Sequence, residues 1–385
     1  MDKNDLIYLD NAATSYPKPY AVCDAVKKYM LYCGGNAGRG GYSTAMQAAE
    51  GVFDCRMRLS KFFDSPQNGS VFFTMNTTQG INMCIKGLLR RGQHVLISNI
   101  EHNAVYRPIY KLSQRGYIDY DCFTVMRGEA RLDDEEILLD ILKKLQRNTT
   151  MLICTAASNI CSVRLPLEKI GELCRERGVL FIVDGAQAAG HFALSLKKMK
   201  IDALCVPAHK GLLGPQGCGA VLLGDEIKMQ TLIEGGNGVD SLIGEMSEDA
   251  PERYEAGTLP LPSIFGLCEG ISAVEGIGIE KIEQHERGLF ELARSELSKI
   301  EGVKIHCPDY SGSVLLFSVD GYDCERVCAY LSSKGICVRG GFHCAALAHR
   351  AIGTSESGGV RASFGIFNGE SDVISLCKAI RQMKK

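Results

Sequence analysis

Nowhere in its 385 residues does this chain stay apolar for the roughly 20 positions that a membrane-spanning helix needs. Its opening residues, MDKNDLIYLDNAATS, lack both the basic and the apolar region of a secretory leader. Neither sign of charge prevails. There are 43 Lys and Arg against 45 Asp and Glu, for a net charge of -2, and the signs are interspersed. That leaves no basic stripe for nucleic acid and no basic amphipathic helix for a membrane surface. The 17 cysteines include no Cys-x-x-Cys pair, and their number is odd. Cys324-x3-Cys328 and Cys344-x4-His349 come nearest to ligand spacing, and helix packing accounts for the first better than zinc does. We therefore expect reduced thiols, a cytoplasmic location and no metal site. Internal repeats and low-complexity tracts are missing as well.

What is present is an alternation of short apolar runs with amphipathic stretches, the pattern of a largely parallel sheet covered by helices on both faces. The length predicts two to three domains. The most telling stretch runs from Gly178 to Gly219. Its first apolar run, Val179–Val183, ends in Asp184, and its second, Ala203–Val206, ends shortly before His209 and Lys210. In open α/β sheets, ligands bind outside the carboxyl ends of strands. A carboxylate set against a pyridinium nitrogen, with a lysine in a Schiff base, is the pairing that a pyridoxal phosphate site requires.

Taken in order, the chain predicts a strand at Ile7–Leu9 and a helix near Tyr20–Tyr32 with Val22, Val26 and Met30 on one face. The glycine-rich stretch 34–41 reads equally well as a linker or as a mobile active-site segment. Ser43 reads as the N-cap of a helix to about Phe63. A strand at Val71–Thr74 runs through Asn76-Thr77-Thr78 into a helix, which makes a phosphate cradle out of backbone N–H groups and hydroxyls. Val95–Ser98 leads to His102, either an acid/base or ring-stacking group or a histidine satisfied in its loop. A helix follows near Arg107–Gln114, and Asp133 or Asp134 caps another. Met151–Thr155 ends at Ser158-Asn159, and Gly178 closes the helix Leu167–Arg177. Beyond a strand at Ala220–Leu223 lie loop-like segments at 234–238 and 253–262, then a long helical region broken near Gly276–Gly278. From Val303 on, strands at Val303–His306, Ser313–Val319 and Val360–Phe364 with helices at Cys324–Lys334 and Ser371–Met383 predict a compact α+β lobe.

Nine separated motifs, in order, then carry a resemblance: YLDNAATS (8–15), NTTQGIN (76–82), EHNA (101–104), SN (158–159), VDGAQ (183–187), HKGLLGPQG (209–217), YEAGT (254–258), RGGFHCA (339–345) and VRASFGIFN (360–368). Over effectively its whole length the chain resembles the class V aminotransferase superfamily, and within it the cysteine desulfurase and selenocysteine lyase group. The resemblance implies an α/β protein of the pyridoxal-phosphate-dependent transferase fold type I. Its large domain (15–260) would hold a mainly parallel seven-stranded sheet. Its smaller domain would join residues 1–14 to an α+β C-terminal lobe (261–385). The implied cofactor is pyridoxal 5'-phosphate. Lys210 matches the lysine that links to it, Asp184 the acid on the pyridinium nitrogen, and Gln187 the amide near the phenolic oxygen. His102 matches the histidine that stacks on the ring and handles protons. Thr77, Thr78 and His209 match phosphate contacts, and Thr258 matches a phosphate contact given by the other subunit of a homodimer. Asn159 and Arg361 match residues that hold the substrate, the arginine by its α-carboxylate. Cys344 matches the persulfide-forming cysteine, with Arg339 in the same pocket.

The implied activity is conversion of L-cysteine to L-alanine, leaving on Cys344 a persulfide for a sulfur-acceptor protein. A thiolate near cations suits attack on sulfur. The 17 positions from Cys344 to Arg361 resemble the short-loop, SUF-type group. Selenocysteine could use the same site. In another class V enzyme, a transaminase or C–S lyase, Cys344 would be incidental; in a non-enzymatic scaffold the Lys210–Asp184 pair would have no purpose. Two departures stand out. Pro207-Ala208 precedes His209-Lys210 where a hydroxyl residue and a small residue are usual, which removes a phosphate contact. Ile160 follows Asn159 where glycine is common, and Arg164 nearby could meet a second substrate carboxylate. Cys161 and Cys218 are read as packing residues, Cys161 with redox sensitivity as an alternative.

Overall fold

Alternating apolar side chains bury both faces of a seven-stranded sheet. The computed structural model describes residues 6–38, 40–66, 69–225, 227–239, 241–307 and 312–384. The sheet strands in chain order are β1 (Ser70–Thr74), β2 (Gln93–Ser98), β3 (Ile118–Phe123), β4 (Thr149–Thr155), β5 (Leu180–Asp184), β6 (Ala203–Pro207) and β7 (Gly219–Leu223). Their spatial order is β1-β7-β6-β5-β4-β2-β3. β7 runs antiparallel to both its neighbours, and the pairs from β6 to β3 are parallel. The sheet is thus mainly parallel, as expected.

Successive strand residues point to opposite faces. Leu152, Phe181, Val183, Leu204 and Val206 pack with helices Ser43–Phe62, Asp134–Lys144, Leu167–Arg177 and Leu261–Ile277. Their sequence neighbours Ile153, Ile182, Ala203 and Cys205 pack with helices Thr77–Leu88 and Asn103–Gln114 on the other face. Burial on both faces is what parallel strands demand. The strand order turns around β4, so β2 and β5 flank it. The carboxyl ends of β2, β4, β5 and β6 consequently open on one crevice.

The C-terminal lobe holds a four-stranded antiparallel sheet of β8 (Val303–His306), β9 (Val314–Val319), β10 (Arg339–Gly341) and β11 (Gly359–Ser363), ordered β8-β9-β11-β10. Helices Ile279–Leu297, Cys324–Ser333 and Glu370–Met383 cover it. The N-terminal segment joins this lobe. Ile7–Tyr8 pairs in parallel with Ile336–Cys337, Asp10 bridges to Ser363, and Leu9 is buried with Phe317 and Ala362. Gly278, with φ +94°, separates helix Leu261–Ile277 from helix Ile279–Leu297, where the sequence predicts a break.

Four local expectations need correction. Tyr29–Cys33 is a π-helical turn, whose extra residue shifts the helical phase, so Tyr29 is buried and Met30 is 68% exposed. Ser43 is already helical and makes no side-chain cap, because the chain enters extended at Tyr42. The helix after His102 begins at Asn103, four residues earlier than predicted, and His102 itself caps it. The edge strand β3 and the helix Ala346–Ile352 were not predicted; β3 alternates Asp119 and Asp121 with half-buried residues, a weak signal for a strand. Of the loop at 34–41, Arg39 lies outside the described residues.

Candidate active site

At the carboxyl edge of the sheet a pocket opens. Thr77, Thr78, His102, Asn159, Asp184, Gln187, His209 and Lys210 all line it, contributed by the segments that follow five strands. Thr77 and Thr78 open a 12-residue helix after β1. Asn76 caps that helix by accepting from the Gln79 N–H at 2.9 Å.

Asp184 ends β5 and is 2% exposed. Its Oδ1 accepts from the Ala186 N–H at 2.9 Å. Burial pushes its carboxyl upward, against the opposing pull of that bond and of the Lys210 charge. Lys210 is lowered to about 8, by burial first and then by the Arg361 and Arg339 charges, while Asp184 and Asp10 act the other way. A lysine amine released from its proton near neutrality is a competent nucleophile and base. Gly211 beside it lies against the Gly190 backbone. A Cβ at Gly211 would come within 2.4 Å of the Ala189 carbonyl, so only glycine lets the lysine loop sit this close.

His102 caps its helix through Nδ1, which accepts from the Ala104 N–H at 3.0 Å. That bond places the proton of the neutral ring on Nε2. Burial, then the Lys210, Arg361 and Arg107 charges, depress its pKa to about 4. His209 is likewise lowered to about 4, by burial and then by Lys210 and Lys18. Its carbonyl accepts from the Ser15 N–H (3.0 Å), Thr14 Oγ1 (3.0 Å) and Lys18 Nζ (2.8 Å), and Ser15 Oγ donates to the Lys210 carbonyl (2.9 Å). The N-terminal motif therefore clamps the backbone of the lysine loop.

The small lobe meets the pocket's edge at Asn159 and Asn103. Arg361, on β11 and 2% exposed, donates from Nη1 to the Asn159 carbonyl (3.1 Å) and from Nη2 to Asp10 Oδ1 (2.6 Å). Arg339 sits opposite Arg361 in the strand register and is exposed. Cys344 is exposed too, in the loop between β10 and helix Ala346–Ile352. Its carbonyl accepts from the Asn103 N–H at 2.7 Å, and the preceding His343 carbonyl accepts from Asn159 Nδ2 at 2.8 Å. The thiol-bearing loop is thereby fastened to the residue after His102 and to Asn159.

Thr258 is exposed and does not line this pocket. Arg164 does not line this pocket. Its Nη1 donates to Glu283 Oε1 at 2.5 Å, and its guanidinium stacks over Phe192 at 4.0 Å. Cys161 and Cys218 are buried core residues, Cys161 with its thiol against that of Cys307.

Sequence reasoning assigned no role to Asp10, Ser15 or Glu101. The polar run directly after the first strand was the available signal for the first two. Glu101 is fully buried behind β2 and β4. Its Oε1 accepts from Ser98 Oγ and from the Thr155 N–H (2.9 Å), and burial raises it to about 8.

The family model for class-V aminotransferases matches residues 7–376. The chain belongs to this family. Among class-V relatives, a probable cysteine desulfurase of Methanothermobacter thermautotrophicus is 31% identical, with 98% of this chain and 95% of that protein covered. One of Pyrococcus abyssi is 30% identical, with 99% and 95% covered. Among solved structures, the apo cysteine desulfurase of Thermococcus onnurineus NA1 has a TM-score of 0.88 at 28% identity, and the cysteine desulfurase CsdA of Escherichia coli has 0.86 at 26%; each comparison covers 99% of this chain and 95% of the other.

The class-V family works with pyridoxal phosphate, and the pocket fits that group. Thr77 Oγ1, Gln187 Oε1 and His209 Nδ1 are buried, line the pocket and have no partner among the described residues. Buried polar atoms are seldom left unpaired, so together they argue for a polar ligand. The leading end of the Thr77–Leu88 helix suits a phosphate, and the buried carboxyl of Asp184 suits a cationic ring nitrogen. One wall is poorer. Pro207 has no N–H, and the Ala208 N–H is already donated to the Cys218 carbonyl at 3.0 Å.

Proposed function

We propose that the protein is a pyridoxal-phosphate-dependent cysteine desulfurase that leaves a persulfide on Cys344. The observation that carries this reading is the fastening of the exposed Cys344 loop to Asn103 and Asn159, beside a pocket floored by Asp184 and Lys210. Full-length similarity to proteins named cysteine desulfurases supports it.

When bound, the cofactor supplies an electron sink that tolerates negative charge on the substrate's carbons. Lys210 would hold the cofactor and then move the proton at the substrate's α-carbon. Asp184 would keep the ring nitrogen protonated, Gln187 would sit by the phenolic oxygen, and His102 would lie against the ring. Thr77, Thr78 and His209 would hold the phosphate. Arg361 would grip the cysteine carboxylate with the Nε–H that has no protein partner among the described residues, and Asn159 would steady the substrate beside it. Arg339 would share the pocket with Cys344, whose thiolate is the attacking form. That thiolate attacks the substrate sulfur; the new S–S bond forms as the carbon–sulfur bond breaks, and the carbon takes up a proton to give alanine.

We read Thr258, exposed and away from its own chain's pocket, as reaching the phosphate of a second subunit in a homodimer. Residues 1–14 are grouped with 261–385 as one domain and 15–260 as the other, on the strength of the Leu9 and Asp10 contacts. No helix is long and apolar enough to cross a membrane among the described residues, and the cysteine usage favours a reducing cytoplasm. The persulfide would pass to an acceptor protein.

The deciding measurement is intact-protein and peptide mass spectrometry after addition of L-cysteine. A gain of one sulfur on the Cys344 peptide, equimolar alanine, and loss of both in Cys344→Ser are expected. Undiminished alanine formation by Cys344→Ser would sink the persulfide route.

A further inference from the structure

Cys344 is displayed by an unusual piece of backbone. His343 and Cys344 have φ of +49° and +55°, two consecutive left-handed residues neither of which is glycine. Each such residue costs on the order of 1 kcal/mol or more, so something must hold the turn.

Beneath it lies a chain of hydrogen bonds that takes no part in the chemistry outlined above. His343 is 6% exposed, and its Nε2 lies 3.1 Å from the Arg339 carbonyl. Its Nδ1 lies 3.3 Å from His349 Nε2, with the two rings stacked at 5.6 Å and 16°. His349, 1% exposed, lies with Nδ1 2.7 Å from Thr354 Oγ1. A carbonyl can only accept, so His343 Nε2 carries a proton. In the neutral ring Nδ1 must then accept, which requires a proton on His349 Nε2. His349 Nδ1 accepts in turn, and the Thr354 hydroxyl donates to it. One carbonyl fixes both tautomers and the direction of every bond.

Both rings are neutral in this arrangement: a proton added to His343 would set its Nδ1–H against the His349 Nε2–H, and one added to His349 would fall on Nδ1 and reverse the Thr354 hydroxyl from donor to acceptor. Their surroundings agree. Burial, followed by the Arg361 charge, lowers His343 to about 3, and burial, followed by the His306 charge, lowers His349 to about 4. The facing charged groups are Arg361 on β11, Arg339 on β10, and His306 on β8 with its partner Glu129. The chain ends on a backbone carbonyl and includes no atom of the Cys344 side chain. It therefore cannot deliver a proton to the thiol, and what it can do is hold a shape.

We propose that His349, backed by Thr354, is a positioning residue that locks His343 and thereby the left-handed turn presenting Cys344. The proposal rests on the reading of Cys344 as the sulfur-accepting thiol. With the bond polarity fixed, a replacement at 349 must donate from the position of Nε2. Gln can do so, and Phe keeps the bulk but cannot.

The test uses the full chain carrying its cofactor, in wild-type, His349→Phe, His349→Gln and Thr354→Val forms. Alanine formation from cysteine is followed at steady state. Hydrogen exchange of the peptide spanning 339–345 is followed without substrate. For His349→Phe we expect kcat to fall about 10–100-fold, the scale of a misplaced reacting group, with KM held within about two-fold and faster exchange in the loop. His349→Gln should recover most of kcat and slow exchange, and Thr354→Val should fall between. If His349→Phe does not fold, the Gln and Val forms still decide. A Phe or Val form with wild-type kcat and exchange overturns the proposal, as does a Gln form as impaired as the Phe form. Should the wild type form no persulfide, the function fails on its own, while the exchange data still report on the lock.

Discussion

The two sides of the pocket are held by different means. On the sheet side, Asp184, Lys210, His102 and the Thr77–Thr78 turn sit at or just beyond strand ends, and backbone pairing with burial on both faces fixes where those ends lie. On the small-lobe side, Arg361 starts from strand β11 and the Cys344 carbonyl from the Asn103 N–H, but side chains finish the placement: Asp10 on the arginine, Asn159 on the His343 carbonyl, and His349 behind His343. Backbone pairing positions the part that a whole family needs for its cofactor. Side-chain contacts, which a few substitutions can redraw, help to position the part that selects the reaction under the proposed function. A class-V enzyme can on this basis change chemistry without disturbing its sheet.

Five experiments would break or sharpen that contrast, from the largest expected effect to the smallest. Lys210→Ala on the sheet side should remove the visible cofactor absorbance and reduce alanine formation by about 10³-fold or more, the scale of a lost proton-transfer group. Retained turnover in that variant would deny the lysine its role. Arg361→Lys on the small-lobe side should leave the absorbance intact and raise KM for cysteine by about 10–100-fold, since a lysine cannot reproduce a planar fork. An unchanged KM would place the substrate carboxylate elsewhere. Asp10→Asn removes the partner of a buried guanidinium and should cost about 2 kcal/mol of stability in a denaturant melt, whereas an unaltered midpoint would mean that Asn159 alone seats the arginine.

Glu101→Gln tests the buried carboxyl behind the sheet. Its folded pKa of about 8 lies above the usual carboxyl value, so the folded chain keeps a proton that the unfolded chain gives up. Wild-type stability from this group is full below about pH 4.5 and declines as pH rises through 8. Among the depressed histidines, His102, His209 and His349 act oppositely, losing stability as pH falls from about 6.5 through about 4, and His343 does so through about 3. The variant minus wild-type difference in Tm should therefore grow from pH 5 to pH 8, by about 2–4 °C per kcal/mol. Parallel curves would mean that Glu101 is already ionised. Last, Pro207→Ser returns a hydroxyl to the poorer wall and should tighten cofactor retention by about 3–10-fold, one hydrogen bond's worth, in a dialysis titration; unchanged retention would show that the phosphate never depended on that wall.

The same contrast governs what could be read from the sequence. Strand-end residues announced themselves, because an apolar run followed at once by Asp184, or by His209-Lys210, is a local pattern. The capping geometry of His102 was not legible, since a histidine cap looks like any loop histidine until the helix is seen to start at Asn103. Met30 was misplaced because a π turn leaves no mark in a period of 3.6. The edge strand β3 went unseen because its acidic residues face water on the outermost position of the sheet. Above all, Asp10, His349 and Thr354 act on residues far away in sequence or through ring tautomers, and neither leaves a motif at the site it serves.

The pairing of Asp10 with Arg361 spans 351 positions, and the neighbouring Asn11 bonds the Ser363 carbonyl across 352. During synthesis the first partner leaves the ribosome almost a whole chain ahead of the second. A nascent polypeptide can thus complete its sheet, and even its lysine loop, well before it owns a seated arginine. The seat of that arginine is thus completed late, by two segments that only the folded chain brings together.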